Sequence, residues 1–188
     1  MILALTGFMG CGKSTVARIL GSGSDWKVWD LDDVITSGEG CGIPQIFKRE
    51  QGAEGFRRLE AEYLARILRS CRQVTDESPD GRVKCLISLG GGTVMNPVCT
   101  QMLKDDVTVI YLKAGVDTIV GNLHIVGYSR RPLLQDCTGD EDLRTRVTTL
   151  LAEREEVYER TADIVMDIDG LSPEEIAIGV KVCLDKIK

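Results

Sequence analysis

Short apolar runs alternate along the chain with longer segments in which apolar residues recur at helical spacing. The runs predict five strands, at residues 2–6, 26–29, 85–89, 107–112 and 164–168. Helical spacing predicts helices at residues 13–20, 43–47, 56–68, 141–158 and 173–187. The third and fourth strands are continuously apolar, which is typical of parallel strands covered on both faces. The pattern therefore predicts an α/β fold with a doubly wound sheet.

Two segments depart from this alternation. Residues 70–84 are polar and rich in turn formers, which predicts an exposed loop before the third strand. Residues 124–139 have weak periodicity and contain the pair Arg130–Arg131. No internal repeat or low-complexity tract divides the chain, so residues 1–188 are predicted to form a single domain.

Composition narrows the class of protein. With 43% hydrophobic and 28% charged residues, the chain is typical of a folded, soluble protein. A formal net charge of −6 argues against nucleic-acid binding, which depends on clustered positive charge. No apolar run reaches the roughly 18 residues of a membrane span, and the N-terminus lacks the features of a signal peptide. We therefore expect a cytoplasmic protein without a nucleic-acid or membrane partner.

The cysteines also favour a cytoplasmic protein. The seven cysteines are scattered, odd in number and without a C-x-x-C pair, and His124 is the one histidine of the sequence. A zinc site of cysteine and histidine would therefore have few ligands. We expect reduced thiols that behave as small hydrophobic side chains.

Residues 7–14, GFMGCGKS, match the phosphate-loop pattern G-x-x-x-x-G-K-[ST] between a predicted strand and a predicted helix. Glycines let backbone N–H groups turn toward phosphate oxygens, and the helix N-terminus adds partial positive charge. Lys13 can reach the β- and γ-phosphates, and Ser14 can offer its hydroxyl to Mg²⁺. The alternative is a glycine-rich turn with an exposed lysine. Cys11, inside the loop, is either a small filler or an oxidation-sensitive thiol.

Acidic residues follow the second predicted strand, at a sheet edge where ligands bind in open α/β folds. Asp30 and Asp32 can divide two roles, one near Mg²⁺ and one accepting the proton of an attacking hydroxyl. The alternative for either residue is a helix cap or a solvated turn.

Arginines and glycines supply the remaining candidates. Arg57 and Glu60 share a helix face, where Glu60 could hold the guanidinium as a clamp for a carboxylate, or the two could form a solvated ion pair. Gly90, Gly91 and Gly92 follow the third strand and suggest close approach to a ligand. Arg131 and Arg154, each taken alone, are interpreted as surface charges.

Together these segments resemble shikimate kinases. The resemblance spans residues 2–168 in order, through GFMGCGKST, DLDDVI, FRRLE, LGGGTV, RRPLL and AEREEVYERTADIV. It implies a five-stranded parallel sheet of order 2-3-1-4-5, a substrate-binding section at residues 31–62 and a lid at 124–139. The implied reaction moves the γ-phosphoryl group of ATP to the 3-hydroxyl of shikimate, in the pathway to the aromatic amino acids. A monomer is expected.

The resemblance also implies roles for individual residues. ATP phosphates would be cradled by Gly10, Cys11, Gly12, Lys13, Ser14 and Thr15, with Arg131 reaching them from the lid. Mg²⁺ would be held by Ser14 and, through water, by Asp30. Asp32 would be the base, with Lys13 and Arg131 as the other catalytic residues. Shikimate would be bound by Asp32, Arg57, Gly90, Gly91, Gly92 and Arg154, between the apolar walls Phe47, Phe56 and Pro132.

The sequence departs from the family pattern in three places. His124 stands where the family commonly has a basic residue on adenine, and it could stack there instead. The loop at 169–172 lacks an arginine that is common in the family, and residues 70–84 are longer than usual. Two other functions remain open: a kinase of the gluconate or nucleoside-monophosphate type, and a silent ATP-binding regulatory module. The second predicts loss of Lys13, Asp32 or Arg57, which are all present.

Overall fold

A five-stranded parallel sheet forms the centre of the molecule, which a computed structural model describes over residues 1–77, 84–129 and 131–186. The strands are β1 (Ile2–Thr6), β2 (Trp26–Asp30), β3 (Lys84–Ser88), β4 (Val107–Lys113) and β5 (Ile164–Asp167). Their order is β2-β3-β1-β4-β5, and every neighbouring pair is parallel. The predicted fold and strand order are therefore confirmed.

Helices connect the strands and pack against the sheet. Their bounds are α1 (Lys13–Gly21), α2 (Leu31–Glu39), α3 (Ile43–Arg49), α4 (Ala53–Asp76), α5 (Pro97–Leu103), α6 (Val116–Val126), α7 (Asp140–Ala152), α8 (Glu155–Thr161) and α9 (Pro173–Asp185). A 3₁₀ turn covers Thr93–Met95. The last helix begins where its sequence predicts, because Ser172 and Glu175 form a capping box.

The hydrophobic pattern does not predict three of the helices: α2, α5 and α6. Each buries only two or three side chains, which is too few to establish a period in the sequence. Helix α2 is fixed by its cap, because Oδ1 of Asp30 accepts hydrogen bonds from the backbone N–H groups of Asp32 at 3.1 Å and Asp33 at 3.4 Å. The cap interpretation of Asp30 is therefore correct, although it does not exclude a second role.

The predicted loop at residues 70–84 is wrong over its first part, because α4 continues to Asp76. Cys71 is fully buried and extends the helical spacing of Ile67 and Leu68. Arg72 then pairs with Asp106 through two hydrogen bonds, of 2.6 and 2.9 Å, and so ties this end of α4 to the start of β4. Residues 78–83 of the predicted loop lie outside the described residues.

The predicted helix at residues 141–158 is also wrong as one element, since α7 and α8 are separated at Glu153 and Arg154. The N–H of Arg154 bonds the carbonyl of Leu151, three residues earlier, which tightens the last turn of α7. The break turns the Arg154 side chain inward, where it is only 6% exposed. The interpretation of Arg154 as a surface charge is therefore wrong.

None of the helices in the described ranges is both long enough and apolar enough to span a bilayer.

Candidate active site

Two adjoining cavities open where β1, β2 and β3 end. The inner cavity, of about 340 Å³, combines apolar walls with five charged side chains: Asp32, Arg57, Glu60, Arg131 and Arg154. The phosphate-loop cavity, of about 600 Å³, is lined by Gly10, Gly12, Lys13, Ser14, Thr15, Asp30, Asp32 and Arg131, among others. Asp32 and Arg131 line both cavities and therefore stand where the two meet.

The phosphate loop has the backbone that its glycines predict. Gly10 and Gly12 have φ angles of 86° and 91°, in the left-handed region that favours glycine. Helix α1 begins at Lys13 with no side-chain cap on its N-terminus, so its first N–H groups remain available to an anion. The geometry is that of a phosphate cradle.

Lys13 is folded onto its own loop. Its Nζ donates hydrogen bonds to the carbonyls of Gly7, at 2.8 Å, and Phe8, at 2.9 Å, and the residue is only 7% exposed. Cys11 is buried, with its Sγ 3.7 Å from this ammonium, and does not line the cavity. The Cys11 N–H donates to the carbonyl of Phe8 at 3.2 Å, so neither the thiol nor the N–H of Cys11 faces the cavity.

Oxygen donors gather beside Lys13. Ser14 Oγ lies 3.4 Å from the hydroxyl of Ser88, the last residue of β3, which is paired in register with Asp30 of β2. One oxygen of the Asp30 carboxylate serves the cap of α2. Hydroxyl and carboxylate oxygens are the donors that Mg²⁺ prefers, and Mg²⁺ keeps several waters instead of needing a cage of carboxylates. The donor set at Ser14 and Asp30 therefore fits this ion.

Two arginines add positive charge to the inner cavity. Arg154 Nη1 donates to the carbonyl of Gly91 at 3.3 Å, and its guanidinium lies 5.8 Å from the centre of the Phe8 ring. Burial lowers the pKa of Arg131, while the nearby Asp32 carboxylate acts in the opposite direction. Neither guanidinium is held in a salt bridge with a described residue, so both are free to face an anion.

Two carboxylates converge on Gly90. A Cβ at that position would lie 2.7 Å from Glu60 Oε1 and 2.9 Å from Asp32 Oδ1. Burial raises the pKa of Asp32 to about 6; Asp30 adds to the increase, and Lys13 and Arg131 oppose it. Burial also raises the pKa of Glu60 to about 7, against a hydrogen bond from Thr93 and the charges of the arginines. Both groups therefore titrate near neutral pH.

The predicted pairing of Arg57 with Glu60 is wrong. Glu60 Oε1 instead accepts a hydrogen bond of 2.5 Å from Thr93 Oγ1, and no ion pair joins Glu60 to Arg57. Arg57 remains half-buried and lines the inner cavity without a side-chain hydrogen bond to any described residue. Its guanidinium is therefore available to a ligand.

The apolar walls lie where the sequence places them. The rings of Phe47 and Phe56 pack with their centres 4.8 Å apart, and both line the inner cavity with Pro132.

His124 lies outside both cavity linings. Its Nε2 is 3.2 Å from Asp140 Oδ1, and its ring is edge-on to Tyr128. This arrangement gives no support to the possibility that His124 stacks on adenine.

Sequence reasoning missed four residues that shape the site: Ser88, Thr93, Asn122 and Tyr158. The Tyr158 hydroxyl donates to the carbonyl of Gly91, and the Asn122 side-chain amide donates to that of Gly10 at 2.8 Å. Each partner is distant in sequence, so no local pattern reveals the contact. For Ser88 alone there was a usable signal, since it ends a strand just before the glycines.

Comparison with known proteins finds similar sequences and structures. The family model described as shikimate kinase matches residues 9–185. A shikimate kinase of Nitrosospira multiformis is 36% identical over 92% of this chain and 79% of its own length. One from a Marinomonas species is 36% identical over 99% of this chain and 91% of its own. Among solved structures, shikimate kinase from Acinetobacter baumannii in complex with shikimate aligns with 100% of this chain and 94% of its own. The sequence identity is 25% and the TM-score is 0.78.

Burial of Glu60 predicts a pH-dependent cost in stability. The native carboxyl keeps its proton up to about pH 7, whereas its ordinary pKa is 4.5, so the free energy of unfolding falls as the pH rises between these values. Glu60→Gln removes that loss, and should raise the free energy of unfolding by up to about 3 kcal/mol at pH 8.5. At pH 4 we expect no gain.

Urea unfolding of both proteins at the two pH values measures the difference. Glu62→Gln, an exposed position on the same helix, is the control and should change the free energy of unfolding by less than about 0.5 kcal/mol at either pH. An equal effect of Glu60→Gln at pH 4 and pH 8.5 would contradict the assigned burial.

Proposed function

The chain belongs to the shikimate kinase family, and from this premise we propose how its own residues transfer the γ-phosphoryl group of ATP to the 3-hydroxyl of shikimate. The observation that carries the proposal is the junction of the two cavities at Asp32 and Arg131. Phosphoryl transfer depends mainly on positioning and charge stabilisation, which require the acceptor and the phosphate chain to lie in line. Adjoining cavities with a shared carboxylate and a shared guanidinium support that arrangement.

The phosphate-loop cavity holds ATP in this proposal. Backbone N–H groups from Gly10 to Thr15 and the N-terminus of α1 bind the phosphate oxygens, and the Cys11 N–H exchanges the carbonyl of Phe8 for one of them. Lys13 exchanges its two carbonyl partners in the loop for oxygens of the β- and γ-phosphates. The exchange requires little movement, because the ammonium already lies within the loop.

Ser14 and Asp30 hold Mg²⁺, Asp30 through water. When bound with ATP, this ion neutralises charge on the β- and γ-phosphates. The chain's contribution is to fix the two oxygen donors, one by the start of α1 and one by the cap of α2.

The inner cavity takes shikimate. Arg57 and Arg154 bind its carboxylate, and the carbocyclic ring packs between Phe47, Phe56 and Pro132. This orientation brings the hydroxyls toward Asp32 and the glycines at 90–92. Apolar walls with a few fixed polar groups are typical of small-molecule sites.

Asp32 acts as the base. Its pKa of about 6 leaves the carboxylate ionised at neutral pH while keeping its basicity close to the working pH, where a general base is most effective. The 3-hydroxyl gives its proton to Asp32 as its oxygen forms the new bond to the γ-phosphorus, and the bond to the leaving oxygen of ADP breaks. Arg131 and Lys13 stabilise the charge that develops on the transferred group.

The division of the domain follows from these roles. Residues 31–62 form the substrate-binding section and 124–139 the lid, within a single domain of residues 1–188; Arg130 of the lid lies outside the described residues. Closure of the lid, which carries Arg131, excludes water and so limits wasteful hydrolysis of ATP. A cytoplasmic monomer completes the proposal, and its cytoplasmic location is supported by the seven cysteines, none of which is paired in a disulfide.

Replacement of Arg57 should weaken the binding of shikimate but not the binding of ATP. Arg57→Ala is expected to raise the KM for shikimate on the order of 100-fold, because a charged pair of hydrogen bonds is lost, while the Kd for ATP changes less than about twofold. Arg58→Ala is the control, since Arg58 is exposed on the same turn and lines neither cavity. A coupled assay of ADP release measures KM. Equal losses in the two variants would contradict the assignment of Arg57.

Gly90 should tolerate no side chain. In Gly90→Ala the new methyl group would lie within 3.0 Å of Glu60, Asp32 and Thr93, so the two carboxylates must move. We expect kcat/KM for shikimate to fall about tenfold or more, since a 1 Å misplacement of a positioned group can cost on the order of 10²-fold in rate. Gly121→Ala is the control, because nothing lies within 4 Å of its added Cβ and Gly121 lines neither cavity. A parent-like kcat/KM in Gly90→Ala would contradict the crowding at this position.

A further inference from the structure

Asn122 lines the phosphate-loop cavity, and the reaction proposed above assigns it no role. It lies on α6, where its side-chain amide donates a hydrogen bond of 2.8 Å to the backbone carbonyl of Gly10. The two residues are 112 positions apart in the chain. The bond therefore joins the helix that leads into the lid to the middle of the phosphate loop.

Gly10 packs closely against the same helix. A Cβ at Gly10 would lie 3.0 Å from Leu123 Cγ and 3.5 Å from the backbone carbonyl oxygen of Ile119, and both of these residues are fully buried. The loop therefore rests directly on α6 at this point. Apolar contact fixes the distance between the loop and the helix, but because it is not directional it leaves the direction of the Gly10 carbonyl undetermined.

The peptide bond between Gly10 and Cys11 is held by a hydrogen bond at each end. Its carbonyl accepts from Asn122, and its N–H donates to the carbonyl of Phe8 at 3.2 Å. The peptide bond is trans, so these two groups point to opposite sides of one rigid plane. A bond to the carbonyl therefore also fixes the direction of the N–H. Glycine at position 10, with a φ of 86°, gives this plane the rotational freedom that such a bond restrains.

Binding of ATP removes the other restraint on this peptide. In the proposed function the Cys11 N–H leaves the Phe8 carbonyl for a phosphate oxygen, and Lys13 leaves the same carbonyl for the phosphates. Among the described residues, Asn122 then provides the hydrogen bond that still holds the peptide. If the peptide rotated by half a turn, it would present a carbonyl oxygen to the phosphates instead of an N–H, and the two would repel each other.

We propose that Asn122 is a positioning residue for phosphate binding, which keeps the Gly10 carbonyl turned toward α6 while the Cys11 N–H changes partner from Phe8 to ATP. The inference rests on the proposed function, because it assumes that the triphosphate occupies this loop. Asn122 acts through the backbone of the loop and needs no contact with the nucleobase. Loss of its donor therefore weakens the binding of a polyphosphate whether or not a base is attached.

The test uses Asn122→Leu, which keeps the approximate size of the side chain but removes the donor. We expect the Kd for ATP with Mg²⁺, measured by isothermal titration calorimetry, to rise about tenfold through the loss of one hydrogen bond. The Kd for inorganic tripolyphosphate should rise by the same factor. In a coupled assay of ADP release, the KM for shikimate should stay within about twofold of the parent, since the substitution leaves the inner cavity intact.

Thr118→Val is the matched control, because Thr118 lies one turn earlier on α6 and lines neither cavity. It removes a polar group from the same helix, and its Kd values for ATP and tripolyphosphate should equal those of the parent. If Asn122→Leu does not fold, Asn122→Ala removes the same donor and takes its place in every measurement.

Four results would overturn the proposal. The Kd for ATP could stay at the parent's value, or the KM for shikimate could rise as much as the Kd for ATP, which would indicate distortion of the whole site. A weaker Kd for ATP with an unchanged Kd for tripolyphosphate would assign Asn122 to the nucleobase instead. The fourth result is a parent protein that binds no tripolyphosphate. Failure of the proposed function is distinct from these, since the parent would then bind ATP but release no ADP in the presence of shikimate.

Discussion

Strand β1 lies between β3 and β4 in the sheet, with β2 beyond β3, so the segments that follow β1, β2 and β3 leave the sheet side by side. This single constraint brings together the phosphate loop, the acids at Asp30 and Asp32, and the glycines at 90–92. A different strand order would separate them by the width of a strand or more, about 4.8 Å for each strand inserted. The two cavities adjoin one another because these three segments are adjacent.

The adjacency also explains how an acidic protein binds two anions. The chain has a net charge of −6, yet Lys13, Arg57, Arg131 and Arg154 surround the two cavities. A local field from converging charges outweighs the net charge of the whole molecule at such short range. The two buried carboxylates, Asp32 and Glu60, keep these arginines from repelling one another, and their own pKa values rise because burial is costly.

Much of this could be predicted from local sequence, and the failures have physical causes. The phosphate loop and the cap at Asp30 depend on neighbouring residues, so their patterns are visible in the chain. Glu60 was assigned to Arg57 because they share a helix face, but its partner is Thr93, 33 residues away. No rule of local spacing favours one donor over the other. Such a choice depends on tertiary packing.

The same limit applies to helix boundaries. Residues 141–158 contain strong helix formers at the point where α7 ends, because the inward turn of Arg154 outweighs local propensity. Helix α4 continues through polar residues because Cys71 and Arg72 find partners elsewhere in the fold. Local preference failed where a side chain serves the site or where a distant contact extends an element.

The carboxylate of Asp32, shared by the two cavities, takes the proton from the attacking hydroxyl. In Asp32→Asn the amide keeps the shape of the side chain but cannot accept that proton. We expect kcat of this variant to fall on the order of 10²- to 10⁴-fold, with the Kd for ATP within about threefold of the parent. Turnover at the parent's rate would contradict it.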